Sequence, residues 1–302
     1  MKQRWAIRIG IGLLLGVLLF FAVVPPERAK EDASDWMANL DDAQPLSALT
    51  IPGTHDSGAL YSIADVAGKC QSLSIAEQLK AGVRFFDIRL QLRGEKLAVV
   101  HSFVDQMTDF ADVLDDMTNF LRDHPTEFLL VSIKQDADAK HPTTTFAKAV
   151  EQMLSVDSTL VRTDRTLPET VADARGKMTI LARYADAAIG IPAYDGWQDN
   201  TSFVIGDCYV QDHYAIDALT DKQQDIMDAA AVAAEPAYAL TLNYISCYLT
   251  YGFPPLYAAT PAKTLLPWLD TYLSEYPDTR GVIICDFITS ARCERIWRCN
   301  FQ

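Results

Sequence analysis

Short apolar runs that each stop at a charged or polar residue constrain this chain most. Eight of them, rich in β-branched and aromatic residues, occupy positions 49–51, 84–88, 97–100, 127–133, 178–181, 204–209, 238–245 and 282–285. They are too short for helices and suit buried strands. Helical patterns lie between them. Phe110, Val113, Leu114, Met117, Phe120 and Leu121 share one helical face, and His124-Pro125 ends that helix, because the residue before a proline avoids the helical region. Residues 262–276 form another amphipathic stretch. Strand and helix in alternation make an α/β protein with a parallel sheet. Eight strands over residues 36–302 match a single (β/α)8 TIM-type barrel, with a doubly wound open sheet as the competing architecture.

Barrel enzymes gather their reacting groups at the C-terminal ends of strands. Here His55 and Asp56 follow the first run, Asp87 and Arg89 finish the second, and His101 ends the third. Lys134 ends the fourth, Arg183 the fifth, Asp212 and Tyr214 follow the sixth, and Asp286 ends the last. One such residue is only a solvated strand edge; a whole series is a candidate site. Two of the five histidines, His55 and His101, stand at strand ends with carboxylates nearby, which points to acid–base chemistry near neutral pH. His124, His141 and His213 have no such context and read as structural.

Composition narrows the partners. Lys2, Arg4 and Arg8 precede an entirely apolar or glycine run at 9–24, the order of an export signal or N-terminal membrane anchor over residues 1–26. A charged linker at 27–35 separates it from the barrel at 36–302, whose location is then secreted or tethered to the outer face of the membrane. Beyond position 30 the chain carries 21 basic against 39 acidic residues, which argues against nucleic acid and against general adsorption to an anionic membrane. Six cysteines in an exported chain could form disulfides, Cys293 with Cys299 being close in sequence, although no pairing follows from spacing. No His-Glu-x-x-His or paired Cys-x-x-Cys spacing suggests zinc.

Residues 51–57 (Ile-Pro-Gly-Thr-His-Asp-Ser), 78–89, Val100-His101 and Ser132-Ile133-Lys134 resemble the X domain of bacterial phosphatidylinositol-specific phospholipases C. Arg183-Tyr184, residues 210–214 and residues 284–287 are similar to its remaining site segments. The resemblance implies a distorted TIM barrel and a phosphatidylinositol diacylglycerol-lyase that splits inositol phospholipid into diacylglycerol and cyclic inositol phosphate. It implies a catalytic set of His55, His101, Arg89, Asp56 and Asp286. His55 is then the base, oriented by Asp286, and His101 the acid, kept protonated by Asp56. Arg89 clamps the phosphate where calcium-using relatives carry an acidic residue, so no metal or other cofactor is expected. Asp87 steadies Arg89 from the same strand face and is grouped with Lys134, Arg183, Asp212 and Tyr214 as substrate-binding. The implied partners are an inositol phospholipid or glycosylated inositol lipid and the membrane interface.

Residues 248–257 are aromatic, apolar and proline-stiffened, and suit an interfacial loop, although they lack the tryptophan that the resemblance leads one to expect. Two other functions fit the same fold. A metal-dependent glycerophosphodiester phosphodiesterase would need an acidic ligand cluster that Arg89 interrupts; a non-catalytic inositol-lipid-binding module would be expected to lack one of the histidines.

Overall fold

The computed structural model describes residues 33–62, 68–235, 237–250 and 257–302. The proposed signal or anchor segment and most of the linker therefore lie outside the described residues. Among the described residues thirteen strands are β1 (Thr50–Thr54), β2 (Phe85–Arg93), β3 (Lys96–His101), β4 (Val104–Asp109), β5 (Leu129–Gln135), β6 (Met178–Arg183), β7 (Ile191–Pro192), β8 (Ser202–Ile205), β9 (Cys208–Gln211), β10 (Ala215–Ile216), β11 (Leu240–Tyr244), β12 (Tyr248–Leu249) and β13 (Gly281–Cys285). The main helices are α1 (Ile75–Ala81), α2 (Phe110–Asp123), α3 (Phe146–Leu154), α4 (Val171–Ala174), α5 (Leu219–Ala234), α6 (Ala259–Glu275) and α7 (Ser290–Arg298).

Parallel strands run in the order β7-β6-β5-β2-β1-β13-β11-β9, with β8 antiparallel at the β9 edge. Read from β1, this order follows the chain around a ring, and the last strand, β13, pairs with the first over Thr50↔Gly281 to Thr54↔Cys285. A ring of consecutive strands is the barrel arrangement, not the doubly wound one. The ring is distorted: among the described residues no backbone pairing joins the β7 edge to the β8–β9 edge. Strand β7 is only two residues long and ends in Pro192, which has no N–H to offer a neighbour.

Two of the expected strands fall differently. Residues 97–100 belong to β3, which is not a barrel strand but the return arm of a hairpin off β2, turned at Gly94-Glu95. Residues 204–209 divide at Gly206-Asp207 into the antiparallel pair β8 and β9. In both, a two-residue turn led by a glycine at positive φ reverses the chain. At 204–209 the apolar residues resume directly after the turn, so apolar content alone does not reveal it; the polar break Arg93-Gly94-Glu95-Lys96 is visible, but spacing does not tell a hairpin arm from a barrel strand.

Local chemistry sets the helix ends. Ser74 and Glu77 form a capping box that opens α1, and Gly82, at φ 104°, closes it with its N–H on the carbonyls of Gln78 and Leu79. Asp109 and Asp112 open α2 in the same way, and its predicted apolar face is buried.

The base of the barrel is held by a fully buried ion pair. Arg84 meets Glu127 at 2.7 Å, and both side chains are 0% exposed. The guanidinium also donates to the carbonyls of Ala33, Ser34, Leu79 and Val83, while Glu127 accepts from Met37 N–H. The pair thus ties the N-terminal segment, with Trp36 stacked on Trp297, across the bottom of β2 and β5. Removing one partner of such a pair leaves an uncompensated buried charge, at a cost of about 3–5 kcal/mol. Glu127→Ala should lose that much in urea unfolding, and the double replacement Arg84→Met/Glu127→Met much less. Equal losses in the two would show that the charge is not what the site has to compensate.

Candidate active site

The turn after β1 is built around the Thr54–Ser57 hydroxyl pair, 2.7 Å apart. Ser57 Oγ also accepts the backbone N–H of Asp87 at 2.8 Å, and Ser57 N–H donates to the Asp87 carbonyl. This stitches the His55-Asp56-Ser57 turn to β2. Asp56 adopts φ 45°, a left-handed conformation that Asp tolerates better than most residues, and is buried at 1% exposure. Gly53 is needed three residues earlier, because a Cβ there would lie 3.0 Å from Ile284 and 3.1 Å from Phe85.

Parallel pairing of β1 with β13 delivers the first dyad. His55 Nδ1 lies 2.8 Å from Asp286 Oδ1, and Gln71 Nε2 ties the two loops by donating to the carbonyls of His55 and Cys285. Burial pushes the His55 imidazole down, but the Asp286 carboxylate outweighs it, and the pKa is raised above 6.5.

His101 arrives by the hairpin. Pairing of Leu90 with Val99 brings the end of β3 back to the rim, where His101 Nδ1 meets the Gly68 carbonyl at 3.0 Å and Nε2 faces Asp56 Oδ2 at 3.5 Å. Burial raises the Asp56 carboxyl above its ordinary value against the pull of Arg89 and His101. Neither of its oxygens accepts a hydrogen bond from the described residues.

Arg89 sits among three carboxylates. It donates to Asp87 Oδ2 through Nε at 3.1 Å and through a terminal nitrogen at 2.9 Å, and lies 3.5 Å from Asp56 and 3.8 Å from Asp136. Burial alone would push the Asp87 carboxyl up; Arg89 and then Arg183 hold it well below the usual range. Asp87 is fully buried beneath these cations, 3.4 Å from an Arg183 nitrogen. It therefore steadies Arg89 as expected but does not reach the cavity, and its grouping with the substrate-binding residues is corrected. It is a positioning residue.

A cavity of about 770 Å³ opens above this floor and is lined by His55, Arg89, His101, Lys134, Arg183, Asp212, Tyr214 and Asp286. Seven strand ends and loops thus converge as expected, although His101 gets there from outside the barrel. Arg89, Lys134 and Arg183 bring positive charge into it beside the carboxylates of Asp136, Asp199, Asp212 and Asp286, in a chain of net charge −14. Lys134 pairs with Asp136 at 2.7 Å, and Tyr214 donates to Asp199 at 2.6 Å.

Three site residues carry no expectation from the sequence. Asp136 stands just past the end of β5, two positions after Lys134, a period-two signal that could have shown it; burial is overcome by Arg89 and Lys134, which bring its pKa to about 2. Trp197 lies in a loop without periodicity. Its ring stacks 3.6 Å beneath the Arg183 guanidinium, and its Nε1 donates to Asp212 at 3.2 Å, so one side chain spans the seam between β6 and β9. Tyr244, on β11, packs its edge against both His55 and Trp197. Two histidines left as structural do have carboxylate partners, His124 with Asp35 and His213 with Asp225, each at 2.8 Å, but neither lines the cavity. All six thiols are free, and the possible Cys293–Cys299 bridge is not formed.

Three comparisons bear on this site. Residues 43–184 match the family model for phosphatidylinositol-specific phospholipase C, X domain. A 1-phosphatidylinositol phosphodiesterase of Listeria monocytogenes is 26% identical over 300 residues, covering 91% of this chain and 92% of the relative. A solved variant of the phosphatidylinositol-specific phospholipase C of Staphylococcus aureus superposes with a TM-score of 0.79 at 25% identity, over 88% of this chain and 98% of that one. A further structure of that protein, concerned with modulation of its membrane binding, gives 0.76 at 25% identity over 88% and 97%.

The raised His55 pKa has a fixed sign. Stability from the His55–Asp286 pair is complete below the imidazole's ordinary 6.5 and is lost as pH rises through the raised value. NMR titration should place the His55 midpoint above 6.5, and Asp286→Asn should move it down. An unmoved midpoint would mean that Asp286 does not set the protonation of His55.

Proposed function

Because the chain belongs to the phosphatidylinositol-specific phospholipase C family, we propose that it cleaves inositol phospholipids by acid–base catalysis between His55 and His101. The observation that carries this reading is two imidazoles in one cavity, each beside its own carboxylate, with a guanidinium held on the same floor. His55 takes the proton of the inositol 2-hydroxyl as that oxygen bonds to phosphorus. The bond from phosphorus to the glycerol oxygen breaks, and His101 protonates the departing diacylglycerol. The first product is a cyclic inositol phosphate, and in its hydrolysis the two histidines exchange roles.

Asp286 holds the orientation of His55 and stabilises its imidazolium, while Asp56 favours the protonated form of His101 by charge. Arg89 meets the charge that grows on phosphate; held by Asp87, it loses little freedom in doing so. A cation already fills the space among Asp56, Asp87 and Asp136, which supports a metal-independent reaction over the metal-dependent alternative. Lys134, Arg183, Asp212 and Tyr214 line the far side of the cavity and suit the hydroxyls and ring face of inositol.

The lipid approach is part of the same proposal. Phe103, 81% exposed, stands two residues after His101 on the cavity rim, and Met107 is 77% exposed at the same hairpin. Tyr248 and Tyr257 also line the mouth, while residues 251–256 of the expected interfacial loop lie outside the described residues. With net charge −14, contact through apolar side chains suits a neutral lipid surface better than charge does. Residues 1–26 supply the route out of the cell or the tether in this reading, from their charged-then-apolar order.

Phosphorus NMR of phosphatidylinositol turnover with chelator present should show the cyclic phosphate ahead of the open one, at undiminished rate. His55→Ala and His101→Ala should each lower kcat by about 10²–10⁴-fold. A phenolic leaving group should restore the His101 variant only, since it departs without a proton. Activity lost to chelator, or rescue of both variants alike, would remove the mechanism.

A further inference from the structure

One sulfur lies between the two dyads and has no part in the reaction above. Cys70 is 2% exposed and lines the cavity. Its position is fixed by backbone on both sides: its N–H donates to the Ala59 carbonyl at 2.9 Å, and its carbonyl accepts Phe287 N–H at 2.7 Å, next to Asp286. Ligand atoms of Asp56, Cys70 and His101 all lie within 4.8 Å of one another, and so do those of His55, Cys70 and Asp286. Cys70 Sγ is 3.9 Å from His101 Nδ1, and His101 Nε2 is 3.5 Å from Asp56 Oδ2.

An independent feature points to a ligand at the same place. Both Asp56 oxygens are buried and accept no hydrogen bond from the described residues, among which the nearest cationic nitrogens stand 3.5 Å away. A buried carboxylate in that condition is an acceptor whose donors are missing. Sulfur, imidazole nitrogen and carboxylate oxygen together form the donor set of zinc-class cations, whose bonds of about 2.0–2.3 Å put tetrahedral ligand atoms roughly 3.3–3.8 Å apart. The 3.5 Å between His101 Nε2 and Asp56 Oδ2 matches that spacing; Cys70 Sγ, 3.9 Å from the other ring nitrogen, lies within 4.8 Å of the one nitrogen His101 would offer, so the sulfur has to close up by about an ångström on binding. Calcium and magnesium want oxygen ligands in greater number and would not select this set.

We infer that Asp56, Cys70 and His101 form an inhibitory site for a thiophilic divalent cation of the zinc class. Binding forms the metal–sulfur bond as Cys70 releases its thiol proton to solvent, and the metal takes the His101 lone pair that must otherwise carry a proton to the leaving group. The protein is then silenced without any change in fold. The site stands on its own ligands; only the inhibition rests on the acid role of His101, so binding is read separately from turnover.

The full chain, freed of metal by chelator and dialysed, is titrated with Zn²⁺ by calorimetry and with Co²⁺ by absorption spectroscopy. One equivalent of Zn²⁺ should bind and stop phosphatidylinositol cleavage, with chelator restoring it, while Ca²⁺ and Mg²⁺ do neither. The Co²⁺ form should show a thiolate-to-cobalt charge-transfer band. Cys70→Ala and Cys70→Ser, assayed with chelator, should turn over as before, lack the band and bind Zn²⁺ at least about 10-fold more weakly. Cys299→Ser, at the one thiol that is not buried, should behave as the unaltered chain. Equal Zn²⁺ affinity in the Cys70 variants, or a band that survives in them, overturns the site. Binding with the band but with full activity keeps the site and overturns instead the role given to His101.

Discussion

The carboxylate of Asp87 is the point from which the site is organised. One oxygen takes two nitrogens of Arg89 and the backbone N–H of Asp56, while the other lies near Arg183 and Ser132. A single buried anion therefore fixes a guanidinium, the turn bearing His55 and Asp56, and the floor of the polyol side. In water such contacts would be worth little. At zero exposure they are strong, and the anion is stable there only because Arg89 and Arg183 outweigh the cost of its burial.

The barrel supports this arrangement by joining the ends of the chain. Strand β1 lies between β2 and β13, so the turn after it meets Asp87 on one side through Asp56 and Ser57, and Asp286 on the other through His55, 231 positions away. Opposite this well-paired wall the ring is open, and the seam is bridged by Trp197 between Arg183 and Asp212 instead of by backbone. The closed side carries the reacting groups, and the open side carries the residues that suit a bulky polyol. Rigidity is thereby placed where proton transfer needs short, fixed distances. The cation site centred on Cys70 occupies that same rigid wall, and its ligands are preorganised for the same reason.

What the chain reveals by itself follows from periodicity and from polar residues that interrupt it. Alternation of short apolar runs with helical faces established the (β/α) class, and His55, Arg89, His101, Lys134, Arg183, Asp212 and Asp286 announced themselves because charge at the end of an apolar run needs a reason. Turn chemistry was the weak point: Gly206-Asp207 reverses the chain inside what reads as one apolar run, and the polar break at Gly94-Glu95 does not show that the strand after it is a hairpin arm off β2 and not a barrel strand. Asp87 was assigned to the substrate because strand alternation gives a face but not a depth.

The sequence alone determined which residues could do acid–base chemistry and that they would lie at one end of a strand array, since both are local properties of residue type and spacing. Only the tertiary structure decided who pairs with whom. Trp197 rather than a strand bridges the open side of the ring, Asp87 lies under the floor, and Cys70 stands between two histidines. These are contacts between segments far apart in the chain, set by strand register and by the cost of burying charge, and neither quantity is written in any short stretch of sequence.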